Sequence, residues 1–262
     1  MAGSQAISLA ALRQKLARVG QTPVGERSLT RQPVGRRVAT DWPPIDALLQ
    51  GGLEAHAVHE WIRAPAHSPH PAAMPPFAIL THLARQALRQ ASPIAQAVWV
   101  GCRPDPAALA LGAENLLDRS LFIAISRRDQ RLAALDLAIR CDSIEVIIAD
   151  GQGFQLLDTQ RLNLQARAHG VMQLLARPSR DRHELSAAQT RWQVATEPGE
   201  TDAAIAQPRW RIELLRSRGV ISTEERPNWA LELDRETGVV GLHTGLGATL
   251  RETTPKPAAA AS

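Results

Sequence analysis

The chain contains almost no lysine: among its 30 lysine and arginine residues, only Lys15 and Lys256 are lysines. Chemistry that depends on a lysine side chain therefore has almost no candidate residue. The other basic residues are arginines, and the formal net charge is +4. Arginine suits phosphate or carboxylate partners because its guanidinium donates bidentate hydrogen bonds. Since a GC-rich genome produces the same preference for arginine, composition alone does not identify a partner.

Cysteines and long apolar runs are also scarce. Cys102 and Cys141 are too few for a disulfide framework or a zinc site. No apolar run approaches the roughly 20 residues that a membrane span needs. Arg13, Lys15 and Arg18 interrupt the apolar stretch near the N-terminus, which excludes a signal-peptide pattern. We therefore expect a cytoplasmic protein without a membrane partner.

The chain divides into three parts. Residues 1–40 are predicted to form an N-terminal helix, at 6–19, and a basic linker rich in Gly, Pro, Arg and Thr. A helix on such a tether docks either on its own domain or on a neighbour, and the sequence leaves both open. Residues 41–246 are predicted to form the globular domain. Residues 247–262, which are mostly Ala, Pro and Thr, are predicted to be a disordered tail.

Strand and helix patterns alternate along most of the globular domain. Strands are predicted at 57–62, 97–101, 121–125, 144–149 and 171–176, with helices at 45–49, 77–89, 106–115, 130–140 and 157–169. This alternation predicts an α/β fold with a mostly parallel sheet flanked by helices. From about residue 190 the pattern changes, and apolar and polar positions alternate at 190–196, 209–216, 228–234 and 239–243. These segments are predicted to be antiparallel strands added to one edge of the sheet.

The segment after the first strand lacks the groups that bind nucleotide phosphates. In ATPases with a phosphate-binding loop this segment reads G-x-x-x-x-G-K-[ST], where backbone N–H groups and the lysine bind phosphates and the hydroxyl binds Mg²⁺. Residues 63–76 contain no glycine and no lysine, and their five prolines remove backbone donors. Because phosphoryl transfer depends on these groups, we expect no nucleotide cofactor and no ATP hydrolysis.

Asp150 ends the apolar strand at 144–149, where ATPases of this kind carry a metal-binding Walker-B carboxylate. It is either a vestige of that site or a cap for the turn at 151–153, and the cap is favoured because no phosphates are present to share a metal. No nucleophile–base arrangement such as G-x-S-x-G or H-E-x-x-H occurs. The sequence therefore predicts neither catalytic residues nor a metal site.

Seven stretches between residues 41 and 235 have a distinctive amino-acid sequence. They are DWPPIDALLQGGL at 41–53, VHEW at 58–61, RLNLQAR at 161–167, LARP at 175–178, SAAQTRW at 186–192, PRWRIELLRSRG at 208–219 and NWALEL at 228–233. In this order and spacing they resemble the RecA-like core of ImuA proteins. The resemblance implies a RecA-like fold.

The resemblance also implies a function in the SOS response to DNA damage. ImuA proteins are accessory proteins of error-prone translesion synthesis, so a non-catalytic role in SOS mutagenesis is expected here. The implied partners are an ImuB-like Y-family polymerase homologue and an error-prone, replicative-type C-family polymerase, with RecA and DNA as further candidates. Two alternatives stay open: a SulA-like inhibitor of cell division, for which this chain is long, and a divergent RecA-type DNA-dependent ATPase.

RecA-type proteins contact DNA through the loops after the fourth and fifth strands, which here are residues 151–156 and 179–188. The second loop carries Arg180, Arg182 and His183, which are candidate contacts for DNA phosphates or for a partner. Acidic neighbours dilute their charge, so a solvated loop is the simpler interpretation.

A second basic cluster consists of Arg209, Arg211, Arg216 and Arg218. On a strand, Arg209 and Arg211 share one face, opposite Trp210. The cluster is either a surface for DNA or a partner, or the polar face of an edge strand.

Overall fold

The computed structural model describes residues 35–65, 77–102, 104, 109–110, 116–197, 207–219 and 226–243. All the strands that the sequence predicts lie inside these ranges. The predicted helix at 6–19, the tail at 247–262, and most of the segment 63–76 and of the helix at 106–115 lie outside them.

The helices and strands begin and end close to their predicted positions. The strands are Arg37–Val38 (β1), Leu53–Glu54 (β2), Val58–Arg63 (β3), Gln96–Val100 (β4), Ser120–Ile123 (β5), Ile144–Asp150 (β6), Met172–Arg177 (β7), Thr190–Glu197 (β8), Arg209–Ser217 (β9), Asn228–Leu233 (β10) and Val240–Leu242 (β11). The helices are Pro43–Leu48 (α1), Phe77–Arg89 (α2), Arg128–Ala138 (α3) and Leu156–His169 (α4), and a 3₁₀ helix spans Ser179–His183. β1, β2 and the 3₁₀ helix were not predicted from the sequence, whereas hydrophobic periodicity located the other elements to within about two residues.

One large sheet has the strand order β11-β10-β9-β8-β3-β7-β6-β4-β5. The strands from β8 to β5 pair in parallel, whereas β9, β10 and β11 continue the sheet beyond β8 with antiparallel pairing. β1 and β2 form a separate antiparallel pair. This confirms the predicted α/β fold with antiparallel strands at one edge, and the architecture is consistent with a RecA-like fold. One part of the prediction is wrong: β8, predicted as the first antiparallel strand, pairs in parallel with β3, so antiparallel pairing begins between β8 and β9.

Helices cover both faces of the parallel part of the sheet. On one face α2 packs on a core in which the rings of Trp61 and Trp192 stack with their centroids 5.3 Å apart. On the other face α3 and α4 contribute Leu135 and Leu162 to a second core. β6 contributes to both cores, which explains why its sequence is almost wholly apolar.

The carboxyl ends of β4, β5, β6 and β7 lie at the same edge of the sheet because these strands are parallel. This edge collects Gly101 after β4, the connection from β5 to α3, Asp150 at the end of β6, and the segment 178–188 after β7. Ligands of parallel α/β sheets usually bind at such an edge. The search for a functional site therefore begins there.

Candidate functional site

A cavity of about 580 Å³ lies at the carboxyl ends of β4, β5 and β6. We call it the arginine pocket, because Arg128, Arg131 and Arg180 line it. Asp150 is the one carboxylate among the described residues that line it. These lining residues thus come from the end of β6, from the first turns of α3 and from the segment after β7.

Arg131 forms the floor of the pocket and is bonded to Asp150. Its side chain is 5% exposed, and Nη1 donates to Asp150 Oδ2 at 2.5 Å and to the Ser126 carbonyl at 3.0 Å. Nη2 donates to the carbonyl of Gln152 at 2.6 Å. The guanidinium carbon lies 5.7 Å from the centre of the Phe154 ring. Arg131 therefore joins α3 to the turn that follows β6.

Asp150 uses both carboxylate oxygens inside the protein. Oδ2 accepts from Arg131, and Oδ1 accepts from the backbone N–H of Gln152 at 2.8 Å. This is the geometry of a strand-end cap, the interpretation that the sequence favours over a vestigial metal ligand. With an arginine on one oxygen and a turn N–H on the other, the carboxylate is poorly placed to bind a cation.

Gly101 allows Arg131 and Asp150 to approach the end of β4. Its φ of +70° lies in the left-handed region. A Cβ atom here would come within 2.8 Å of Arg131 Cδ and 2.9 Å of the Ile125 carbonyl oxygen. Only glycine fits without displacement of these neighbours, so the glycine is part of the construction of the pocket floor.

Arg128 and Arg180 form the rim of the pocket. The Arg128 side chain is 42% exposed and forms an ion pair with Asp158, which also completes the capping box at the start of α4. The Arg180 side chain is 67% exposed, and its Nε lies 3.9 Å from Asp181 Oδ1, beyond the distance of a hydrogen bond. Arg180 is therefore the rim residue with the most donors open to a ligand.

A fully buried arginine fixes the two segments that surround the pocket. Arg177 Nε donates to Asp181 Oδ2 at 2.9 Å, Nη1 to Glu60 Oε1 at 2.8 Å, and Nη2 to the carbonyl of Phe154 at 2.9 Å. One side chain thus connects the loop after β6, the 3₁₀ helix after β7 and the middle of β3.

Glu60 is the centre of the same buried charge cluster. Besides Arg177, its carboxylate accepts from the Ser186 hydroxyl at 2.9 Å and from Arg191 Nε at 2.7 Å. Two arginines and two carboxylates, those of Glu60 and Asp181, balance their charges with little exposure to solvent. The cluster holds the segment 178–188 against the sheet and so sets the position of Arg180.

The other two predicted residues of this segment lie outside the pocket. Arg182 is half-buried and His183 is exposed on the 3₁₀ helix, and neither lines the cavity. The structure therefore brings one of the three candidates in this loop to the pocket, together with Asp150.

The basic cluster on β9 is largely engaged within the protein. Arg209 Nε lies 3.1 Å from Glu232 Oε2, and Arg211 Nε lies 2.6 Å from Glu197 Oε1. Trp210 between them is buried on the opposite face, as the strand alternation predicts. These two arginines form cross-strand ion pairs on the polar face of the antiparallel strands.

Arg216 and Arg218 lie at the end of β9, away from the arginine pocket. Arg216 Nη2 donates to the carbonyls of Ser186 and Ala188 at 2.8 and 2.9 Å. Arg218 is exposed and lines a small cavity of about 110 Å³ near Gln189. The seven predicted contact residues therefore do not form one surface.

Sequence reasoning missed Arg128 and Arg131. It considered the loops after the fourth and fifth strands, whereas these arginines follow the third strand of the βα series, β5. The parallel sheet predicted from the sequence could have identified them. In such a sheet the connection 124–127 and the start of α3 must lie at the same edge as Asp150.

Cys102, which follows Gly101 at the end of β4, is the thiol beside the pocket. Burial, and next to it the charge of Asp150, raises the pKa of the Cys102 thiol far above its ordinary value, so this neighbour of Gly101 is a poor nucleophile. Across the described ranges, no group of three or more His, Cys, Asp or Glu side chains is arranged to hold a metal ion. No helix in the same ranges is long and apolar enough to cross a membrane.

Comparison of the chain with models of protein families and with curated proteins gave no match. The resemblance to ImuA proteins therefore stays a prediction that rests on the seven stretches of sequence.

Proposed function

We propose that this chain is a non-catalytic accessory protein of an error-prone translesion synthesis complex, of the ImuA type. Its partners in this proposal are an ImuB-like Y-family polymerase homologue and a C-family replicative-type polymerase. The seven sequence stretches that resemble ImuA proteins support the family assignment in this proposal. The mostly parallel sheet with its antiparallel edge is consistent with the RecA-like fold that the family implies.

The observation that carries the non-catalytic part is the state of Asp150. In an ATPase of this fold the equivalent carboxylate would be available to a metal ion, whereas here it is bonded to Arg131 and to the Gln152 N–H. The segment 63–76 also lacks the lysine and glycines of a phosphate-binding loop. Without these groups the charge that develops during phosphoryl transfer has little stabilisation.

Exposed leucines on and beside α4 support a role in protein contact. Leu157 and Leu164 are seven residues apart, on the same face of the helix, and both are at least 68% exposed. Leu185 is exposed as well, and its segment is tied to α4 by a 2.9 Å hydrogen bond from the Ala187 N–H to Thr159 Oγ1. Exposed apolar side chains on one face of a helix favour contact with another protein.

Co-expression with an ImuB-like polymerase homologue tests the proposal. We expect the two proteins to elute together in size-exclusion chromatography, and the double variant Leu157→Ser/Leu164→Ser to weaken the complex at least tenfold. Ile94→Ser is the matched control, because Ile94 is an exposed apolar residue outside α4. Absence of a complex with the wild-type chain would contradict the proposal.

Two further measurements separate the alternatives. Equilibrium dialysis with labelled ATP and Mg²⁺ is expected to show no saturable binding, and micromolar affinity would instead favour a divergent ATPase. A pull-down with the protein that forms the division ring is expected to be negative, and specific capture would favour a SulA-like inhibitor.

A further inference from the structure

We propose that the arginine pocket binds a phosphate group carried by a nucleotide or by an oligonucleotide. This inference goes beyond the proposed function, because it rests on the charges and shape of the cavity alone.

The charges that face the cavity favour an anion. Three guanidinium groups line it, and Asp150, the carboxylate among the described lining residues, is already bonded to Arg131. Asp158 forms an ion pair with Arg128 and offsets part of its charge. Within the described part of the chain, the contact of Arg180 is the loose one with Asp181, whose other oxygen binds Arg177. The cluster of Arg128, Arg131 and Arg180 with Asp150 and Asp158 therefore keeps a positive balance.

Arginine at these positions suits a phosphate ligand. A guanidinium donates parallel hydrogen bonds that match two oxygens of a phosphate. Arg180 and Arg128 stand at the rim and can reach a ligand, while Arg131 is held at the floor by Asp150 and Gln152. The rim arginines therefore make the direct contacts, and Arg131 contributes its charge and the shape of the floor.

The start of α3 adds to the same preference. Ser126 and Arg128 line the cavity on either side of Arg127, the N-cap residue that precedes the helix, and no side chain among the described residues caps this end. The positive end of the helix dipole thus borders the pocket, next to the three arginines.

The size of the cavity fits a nucleotide unit. Its volume of about 580 Å³ is within the usual range of small-molecule sites. Gly101 and Arg131 line the floor, and Arg128 and Arg180 line the rim. A phosphate that enters would therefore lie between the floor and the rim arginines.

Fluorescence anisotropy with a short oligothymidylate, labelled at its 3′ end, tests the proposal. The probe is used with a 5′-phosphate and with a 5′-hydroxyl, and inorganic phosphate and dTMP serve as unlabelled competitors. We compare the wild-type chain with Arg180→Ala, Arg128→Ala and the control Arg140→Ala, at several salt concentrations that include about 0.15 M. Arg140 is a suitable control because it is an exposed arginine two residues beyond the far end of α3, so its removal subtracts the same charge away from the pocket.

We expect saturable binding that Arg180→Ala weakens roughly tenfold, as for the loss of hydrogen bonds to a charged group. Arg180→Lys is expected to recover part of the affinity, and Arg140→Ala to stay within about twofold of wild type. The salt dependence should also become less steep in Arg180→Ala, by about one counterion.

The competitors identify the source of the phosphate. Tighter binding of the 5′-phosphorylated probe, and its displacement by dTMP, would assign the pocket to a terminal phosphate. Equal binding of both probes, with the same loss in Arg180→Ala, would assign it to a phosphodiester of the strand. Equal weakening by Arg180→Ala and Arg140→Ala, or no saturable binding at about 0.15 M salt, would overturn the proposal. Neither result would bear on the complex with the polymerase homologue.

Discussion

The buried charge cluster around Glu60 allows a direct measurement of what holds the segment 178–188 on the sheet. Arg177→Met is the perturbation, because methionine keeps an unbranched apolar stem and removes the three donors. In the wild-type protein the side chains of Arg177 and Glu60 are both fully buried. The change therefore removes one member of a buried ion pair and avoids the clash that a larger side chain would cause.

The expected loss follows from the contacts that remain. Without Arg177, the Phe154 carbonyl and Asp181 Oδ2 lose a donor, and the buried cluster keeps two carboxylates against Arg191 alone. Removing one partner of a buried pair costs about 3–5 kcal/mol, because the other charge stays desolvated. A domain of this kind has a total stability of about 5–15 kcal/mol, so the loss is a large fraction.

Urea unfolding followed by tryptophan fluorescence measures this loss, with linear extrapolation to water. Arg211→Met is the matched control: its ion pair with Glu197 lies on the polar face of β9, and the arginine side chain is 62% exposed. Exposed pairs contribute about 1 kcal/mol or less. Arg177→Met should therefore cost several times more than Arg211→Met.

A double-mutant cycle with Glu60→Gln completes the experiment. Each single variant leaves an unbalanced buried charge, whereas the double variant removes one charge of each sign, so the double loss should be smaller than the sum by about 1–3 kcal/mol. If Arg177→Met and Arg211→Met cost the same, or if the two buried changes are additive, the reasoning about the cluster is wrong.

Three further changes test other parts of the structure. Burial lowers the pKa of His59 to about 4, and its ring is hydrogen-bonded to Thr190 and to the Glu54 carbonyl. As the pH falls, the unfolded chain therefore binds the proton first, and His59 should lower the free energy of unfolding by about 3 kcal/mol between pH 6.5 and 4. Urea titrations across this range should show a flatter pH profile for His59→Gln. Gly101→Ala should cost about 1–3 kcal/mol in the same assay, because its Cβ meets the floor of the pocket at a positive φ, and an unchanged stability would contradict the assigned geometry. Asp150→Asn should lower stability by about 2–4 kcal/mol by leaving the buried guanidinium without its carboxylate; if Asp150 were instead a metal ligand, Mg²⁺ would raise the melting temperature of the wild-type chain.

The strands and helices could be predicted from the sequence because their signals are local. The apolar run 144–149 identified β6, and the alternation around Trp210 placed Arg209 and Arg211 on one face. The glutamates that pair with these arginines could not be predicted, since they depend on the register between β8, β9 and β10. Local pattern determines the direction of a side chain, and register determines its partner.

The buried cluster was beyond sequence reasoning for the same reason. Glu60 and Arg177 are 117 positions apart, and Glu60 and Arg191 are 131 positions apart. In the sequence, Glu60 interrupts an apolar strand and has no visible partner, so its burial becomes reasonable only when β3 lies between β7 and β8. The segment 178–188 follows the fifth strand of the βα series as predicted, but the groups that hold it on the sheet come from distant segments.

The pairing of Arg131 with Asp150 links the proposed loss of catalysis to the proposed phosphate site. In ATPases of this fold a metal ion balances the carboxylate at the end of this strand and attracts phosphates. Here a guanidinium from α3 balances the same carboxylate at 2.5 Å, and it is held there by Gln152 and by the absence of a side chain at Gly101. A guanidinium supplies positive charge but cannot act as an exchangeable Lewis acid. The two proposals are therefore compatible: in them this edge of the sheet attracts phosphates through arginine and does not transfer them.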